Sequence, residues 1–209
     1  MSRLEGRVAV VTGAGSGIGE GIARAFVDEG ACVALVGRSA EKLRQVASSL
    51  PPERVLCYPC FVSDRATTEA MGDEVSGRFG PVDLLVNNAG VNFVRAFLET
   101  TVEDWERVIR VDLRAVFFLS QLVCRQMLAQ ESGGSIVNIS SVHSVAALPG
   151  AGPYDAAKTG VVGLTKSIAV EMAAAKIRVN TISPGLLNTQ IWKDLLAAAP
   201  DPEQAVEHW

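Results

Sequence analysis

Tyr154 and Lys158 are four residues apart, so on a helix they share one face. A free phenol ionises near pH ~10 and is a poor base at neutrality. A nearby ammonium favours the phenolate. A drop of about 3 pKa units needs about 4 kcal/mol of differential interaction, within reach of a charge at hydrogen-bonding range in a dry pocket. Lys158 is thus expected to lower the Tyr154 pKa and make the pair an acid/base near neutral pH. Tyr-x-x-x-Lys alone arises readily by chance. Ser141 adds weight to it: it lies thirteen residues earlier, just after the apolar run 136–139, where its hydroxyl can hold a substrate oxygen beside the phenol.

A second set of residues suits a dinucleotide. Thr12-Gly-Ala-Gly-Ser-Gly-Ile-Gly19 follows the first apolar run and precedes the first helix-like stretch. Glycines let a backbone turn tightly and approach a pyrophosphate, which the helix N-terminus then meets with unpaired N–H groups and partial positive charge. Gly13, Ser16, Gly17, Ile18 and Gly19 are the candidates. The second apolar run leads into Gly37-Arg38. An acidic residue there would bond both ribose hydroxyls of NAD and repel a 2′-phosphate. Gly37 instead leaves room, and Arg38 can pair with a phosphate in fork geometry. NADP(H) is the expected cofactor, with NAD(H) the second choice.

These residues must be positioned by alternating elements. Short runs rich in β-branched residues fall at 8–11, 33–36, 55–56, 84–86, 136–139 and 179–182. Longer stretches with helical spacing fall at 18–29, 40–50, 65–79, 102–130 and 154–175. That alternation predicts a parallel sheet with helices on both faces. Thr101 and Asp104 have capping-box spacing at the start of the fourth helix. Trp105, Val108, Asp112, Ala115, Leu119 and Val123 then form a stripe expected to face the sheet. Asp112 is the one ionisable residue on it, and a buried carboxylate needs a partner or a task.

Composition bounds the rest. The chain has 209 residues, 48% hydrophobic and 20% charged, with net charge −4. This suits one globular domain and offers no basic stripe for nucleic acid. No apolar run is long enough to span a bilayer, and no signal peptide is evident, so the expected location is cytoplasmic. Cys57 and Cys60 form a C-x-x-C without the further cysteines or histidines of a zinc site, on a strand where residues three apart face opposite ways. No metal is expected, and Cys32, Cys57, Cys60 and Cys124 read as buried free thiols. His143 reads as a loop histidine at the pocket wall, with substrate contact as the alternative. The sequon Asn138-Ile-Ser140 falls in a buried strand and is set aside.

The chain resembles the short-chain dehydrogenase/reductase family. Thr12–Gly19 is similar to its T-G-x-x-x-G-x-G loop, and Asn87-Asn-Ala-Gly90 to its N-N-A-G. Ser141, Tyr154 and Lys158 correspond to its catalytic triad of side chains, and Pro184-Gly185 to its P-G. The resemblance covers nearly the whole chain. It implies an α/β, Rossmann-like doubly wound parallel sheet of order 3-2-1-4-5-6, one domain over 1–209, with the seventh strand missing. It implies hydride exchange between a nicotinamide and a small-molecule carbonyl or secondary alcohol. Tyr154 would exchange the proton, Lys158 hold the nicotinamide ribose, and Ser141 orient the substrate. Asn88 would meet the cofactor through its backbone, and Leu187 and Thr189 would meet the carboxamide.

Three positions depart from the family pattern. Asp112 stands where an asparagine is usual and is carried over with the catalytic residues. Phe61 replaces the residue that usually bonds adenine, leaving Val62 to pack on the ring. The chain stops at Trp209, short of a usual final helix and strand. The resemblance therefore implies a homodimer through helices 102–130 and 154–175, helped by Ala156, Ala157, Gly160 and Gly163. It implies no regular tetramer, an unpaired apolar sixth strand, and lower stability. Neither nucleic acid nor membrane is an expected partner. The alternative is a catalytically impaired NADP-binding protein acting as a sensor or complex subunit. An isomerase or dehydratase fits the glycine spacing less well.

Overall fold

Each of the six apolar runs forms a strand, and the helical stretches alternate with them. The computed structural model describes residues 2–185 and Leu187. The strands are β1 (Val8–Thr12), β2 (Cys32–Gly37), β3 (Val55–Pro59), β4 (Leu84–Asn87), β5 (Gly134–Ile139) and β6 (Ile177–Ile182). The helices are α1 (Gly17–Asp28), α2 (Ala40–Ala47), α3 (Arg65–Phe79), α4 (Val102–Ile109), α5 (Ala115–Gln130) and α6 (Gly152–Met172). All strand pairs are parallel, and the sheet order is β3-β2-β1-β4-β5-β6. Val10 pairs with Ala34 on one side and Leu85 on the other.

Period-2 alternation divides the core into two layers. Val8, Val10, Ala34, Val36, Leu85 and Ile136 face the layer covered by α3, α5 and the end of α6. Ala9, Val11, Val33, Leu35, Val86 and Ile139 face the layer under α1 and α2. Side chains such as Leu35, Leu85 and Ile136 are fully buried. Each contributes about 1.5–3 kcal/mol relative to exposure. Cys57 packs in one layer and Cys60 in the other, as strand alternation requires. Cys60 and Cys124 are buried, but Cys32 and Cys57 are only half-buried, short of the burial expected of all four thiols.

The expected single helix 102–130 is two α-helices joined by a π-type turn, Arg110–Arg114. The capping box forms: Thr101 accepts from the Asp104 N–H at 3.2 Å, and the Asp104 carboxylate accepts from the Thr101 N–H at 3.2 Å. Val108, Asp112, Ala115, Leu119 and Val123 are buried as the stripe predicts, but Trp105 is 43% exposed. The reason is that α4 packs mainly on α6 rather than on the sheet. The α6 helix begins two residues earlier than the sequence suggests, with Pro153 in its first turn, where the missing N–H costs nothing.

Two further expectations are corrected. On β6, Ile177 and Val179 are buried while Arg178 and Asn180 are exposed, so the strand alternates and is not a uniformly apolar edge. Among the described residues β6 pairs on one side only. On α6, Ala157 is buried and Gly160 lies against Leu113 of the π-turn, where a Cβ would come within 2.9 Å of Leu113 Cδ2. Those two small residues serve packing within the chain. Ala156 and Gly163 alone of the four are exposed. Thr189 and the tail 200–209 lie outside the described residues.

Candidate active site

The sheet order reverses between β1 and β4. In an open parallel sheet, that reversal opens a crevice at the carboxyl ends of the strands, where ligands bind. The chain leaves β1 into the glycine loop and β4 into Asn88–Gly90.

The loop is fastened from below. Thr12 Oγ1 donates to Val86 O and accepts from the N–H groups of Asn88 and Ala89 at 2.9 and 3.0 Å. The Asn88 amide donates to Thr12 O at 2.9 Å. Gly13 has φ +67°, and Gly19 lies so close to it that a Cβ would stand 2.3 Å from Gly13 O. Only glycine admits this crossing. Ser16 sits at the N-cap of α1 without its hydroxyl capping the helix. Ser16 and Gly17 are exposed, Ile18 is half-buried, and the first N–H groups of α1 have no partner within the helix. This donor set fits a pyrophosphate.

Arg38 follows β2 and is exposed. Its neighbour Ser39 caps α2 by accepting from the Lys42 N–H at 3.3 Å. Lys42 was not singled out from the sequence. Its stem lies against the glycine loop, where a Cβ on Gly15 would be 3.1 Å from Lys42 Cβ. Lys42 is therefore a cation whose stem borders the loop, and its four-residue spacing from Arg38 is the signal the sequence held for it. Val62 is buried in the core layer with 9% exposure, which leaves little surface for an adenine, while Phe61 is 62% exposed. Leu187 is 46% exposed.

Ser141, Tyr154, Lys158 and Asp112 converge on the far side of the crevice. Ser141 stands two residues past β5 and caps a short turn by accepting from the His143 N–H. Tyr154 and Lys158 come from the first two turns of α6. Ser140 Oγ donates to Lys158 O at 2.8 Å, which pins that part of α6 to the end of β5. Lys158 is buried, donates from Nζ to Ile139 O at 3.2 Å, and stands 5.3 Å from the centre of the Tyr154 ring. Asp112 is fully buried on the π-turn, and π-turns commonly mark functional sites. Its Oδ1 accepts from the Val91 N–H at 2.8 Å. Its Oδ2 forms an ion pair with Lys158 Nζ at 3.2 Å and has no other polar partner among the described residues. Gly90 makes room: a Cβ there would be 2.7 Å from Asp112 Oδ2.

Two electrostatic features follow. Burial pushes the Asp112 carboxyl above the usual carboxylate range, and the Lys158 charge and the Val91 N–H only partly oppose it. Burial also pushes the Tyr154 phenol above its ordinary value. Lys158 and Ser141 pull it down, but the carboxylates of Asp112 and Asp155 push it further up. The lowered phenol expected from the Tyr–Lys spacing is thus overturned. The Tyr–Lys spacing counted only the ammonium; the upward push expected of a buried Asp112 is present, and burial, which no spacing reports, adds the largest contribution.

His143 is buried beside the phenol, as a pocket-wall residue should be. Its Nδ1 is 2.5 Å from Asp155 Oδ1, and its ring meets Tyr154 edge to face with centroids 5.2 Å apart. Sequence reading did not find Asp155, because its partner is twelve residues away across a loop.

The match to known proteins covers the residues that build this crevice. The model of the short chain dehydrogenase family matches residues 7–199. The meso-2,3-butanediol dehydrogenase of Serratia marcescens is 39% identical over 189 residues, 90% of this chain and 74% of that protein. The 3-oxoacyl-(acyl-carrier-protein) reductase of Thermotoga maritima is 39% identical over 98% of this chain and 81% of its own length. The L-xylulose reductase of Bos taurus is 41% identical over 97% of this chain and 80% of its own. A crystal structure of a short-chain type dehydrogenase/reductase from Mycobacterium marinum superposes with a TM-score of 0.88 at 33% identity, covering 91% of this chain and 77% of that one. Sheet order, loop and sequence all point the same way, and the chain belongs to the short-chain dehydrogenase family of oxidoreductases, which act on CH–OH groups with a nicotinamide dinucleotide.

Proposed function

We propose that this chain is an NADP(H)-dependent oxidoreductase that interconverts a secondary alcohol and a carbonyl, with Tyr154 as the acid/base. The observation that carries the reading is the meeting of Tyr154, Lys158 and Ser141 at the sheet's reversal point, across from the glycine cradle. The nicotinamide, when bound, supplies or takes the hydride. Tyr154 gives a proton to the substrate oxygen in reduction and takes it back in oxidation. Ser141 holds that oxygen, and Lys158 holds the ribose hydroxyls. Gly13, Ser16, Gly17, Ile18 and Gly19 receive the pyrophosphate, with Asn88 meeting the cofactor through its backbone. Arg38, seconded by Lys42, takes the 2′-phosphate. Val62 offers a small adenine contact, and Leu187 and Thr189 complete the carboxamide side.

The deciding experiment is oxidation of NADPH, followed by absorbance, over a panel of small ketones, sugars, ketosteroids and β-ketoacyl thioesters. Turnover of at least one carbonyl is expected. Tight NADPH binding with no turnover across the panel would favour the sensor or complex-subunit reading. A cytoplasmic location fits the free cysteines among the described residues, since reducing compartments keep thiols unpaired. No helix among those residues is long and apolar enough to cross a membrane.

A further inference from the structure

We infer that His143 and Asp155 form a positioning pair that fixes the Tyr154 ring and its place relative to Ser141, so that the phenol and the serine hydroxyl address one substrate oxygen. This rests on Tyr154 being the group that exchanges the proton.

The start of α6 has little of its own to hold it. Its N-cap is Ala151, which makes no side-chain cap, and glycines stand on both sides of it at 150 and 152, the first at φ +81°. Alanine is a poor N-cap, since it has no oxygen to offer the free N–H groups of the first turn. The helix is pinned further along. Ser140 Oγ donates to Lys158 O at 2.8 Å, and Thr159 Oγ1 donates to Ser144 O at 3.4 Å. Both bonds lie a turn or more beyond Tyr154.

The His143–Asp155 contact reaches the first turn itself. Imidazole Nδ1 stands 2.5 Å from Asp155 Oδ1, and a carboxylate only accepts, so the ring N–H is the donor. The two side chains are 7% and 17% exposed, so water competes little for the bond. Both ends are anchored in turn. The His143 N–H donates to Ser141 Oγ at 3.2 Å, and the Asp155 N–H donates to Ala151 O at 2.9 Å. Ser141 and His143 thus share one short turn, and Tyr154 and Asp155 are neighbours on the helix. One bridge ties the segment that presents the serine to the turn that presents the phenol.

The imidazole also bears on the phenol directly. Its ring meets the Tyr154 ring edge to face, with centroids 5.2 Å apart and planes at 83°, a favoured arrangement for an aromatic pair. With its own orientation fixed by Asp155, the imidazole is a wall against which the phenol rests. The phenol oxygen is the far end of a long lever, and a displacement of about 1 Å at a reacting centre costs about 10²-fold in rate. This role needs an acceptor at position 155, not a charge.

The test separates position from charge and from substrate contact. Asp155→Asn keeps an oxygen that accepts from the Nδ1–H, whereas Asp155→Ala removes it. Asp155→Ala and His143→Ala should each lower kcat by roughly 10- to 100-fold, with KM for the carbonyl and NADPH affinity within about twofold. Asp155→Asn should stay close to wild type. The double alanine variant should be no worse than His143→Ala alone, because both changes break one contact. A readout without turnover is NMR of protein carrying 13Cζ-tyrosine, with Tyr58→Phe assigning the signals of the two tyrosines. Asp155→Ala should shift or broaden the Tyr154 signal, and Asp155→Asn should leave it in place. Circular dichroism checks the fold, and alanine favours helix, so Asp155→Ala is expected to fold. If one alanine variant does not, the other decides. Wild-type kcat and an unmoved signal in Asp155→Ala would overturn the inference. So would a raised KM at wild-type kcat in His143→Ala, which assigns His143 to the substrate. An Asp155→Asn as damaged as Asp155→Ala would also sink it, since charge and not position would then be the essential property. Failure of the acid/base reading itself would look different: Tyr154→Phe would keep wild-type turnover whatever the tyrosine signal shows.

Discussion

At the scale of single residues, the site rests on a few polar groups held out of water. Tyr154→Phe removes only a hydroxyl. It should lower turnover by about 10²- to 10⁴-fold, the usual worth of a general acid–base group, while NADPH affinity by titration calorimetry stays within about twofold. Arg38→Ala should weaken NADP(H) binding at least tenfold and NAD(H) binding little, because a charge-assisted phosphate contact is lost for one ligand only. Equal losses would remove the 2′-phosphate assignment. Asp112 adds a stability effect. Its carboxyl is raised in the folded chain, so the folded state binds this proton more tightly than the unfolded state does. Its contribution to stability must therefore fall as pH rises from the ordinary aspartate value, ~3.9, through the raised one. The urea midpoint of Asp112→Asn relative to wild type should improve as pH is raised from about 3 to neutrality. A difference independent of pH would mean that Asp112 titrates normally.

At the scale of elements, two turns do most of the positioning. The glycine loop crosses itself where a Cβ on residue 19 would meet a backbone oxygen at 2.3 Å, and backbone cannot swing aside as a side chain tip can. Gly19→Ala should cost about 1–3 kcal/mol of stability by urea unfolding, and cofactor affinity should fall at least tenfold. Gly163→Ala is the control, since nothing lies within 4 Å of a Cβ there. It should be neutral or slightly stabilising, as alanine favours helix over glycine. The second turn is the π-turn Arg110–Arg114, which delivers Asp112 to Lys158. A buried relay supports it from the sheet side. The Asn87 amide donates to Asn138 Oδ1 at 2.8 Å and to Ser120 Oγ at 3.1 Å, and the Asn138 amide donates to Thr165 Oγ1 at 2.9 Å. It ties β4 and β5 to α5 and α6, the two helices that flank the candidate catalytic groups.

At the scale of the whole molecule, the sheet reversal gathers residues from distant parts of the chain into one crevice. The same architecture leaves apolar side chains on the outside of the helices. Val102 and Trp105 on α4, Phe117 on α5 and Val170 on α6 are all exposed. We propose that these helices pair with those of a second copy in a homodimer. Size exclusion with light scattering should give twice the chain mass, and Phe117→Arg should shift it toward the monomer. A wild-type monomer at micromolar concentration would refute the pairing.

The sequence by itself determined whatever depends on near neighbours. Short β-branched apolar runs set the strands, because a parallel strand covered by helices on both faces is apolar on both. The glycine spacing at 13–19 set the loop, because only glycine fits its φ and its crossing. Thr101 and Asp104 set a helix start, because a cap is satisfied within four residues. The order and spacing of Ser141, Tyr154 and Lys158 pointed to one site. Tertiary structure decided the rest. The apolar stripe did not reveal the π-turn, because a π-turn keeps the helix going and moves only its register. Trp105 turned outward because α4 lies on α6 instead of the sheet. The upward direction of the Tyr154 shift comes first from burial in the folded crevice, with Asp112 and Asp155 adding to it against the pull of Lys158. Spacing along one helix fixes a single pair of charges. A field in a dry crevice is the sum over every charge the fold brings within a few ångströms, and that sum exists only once the chain is folded.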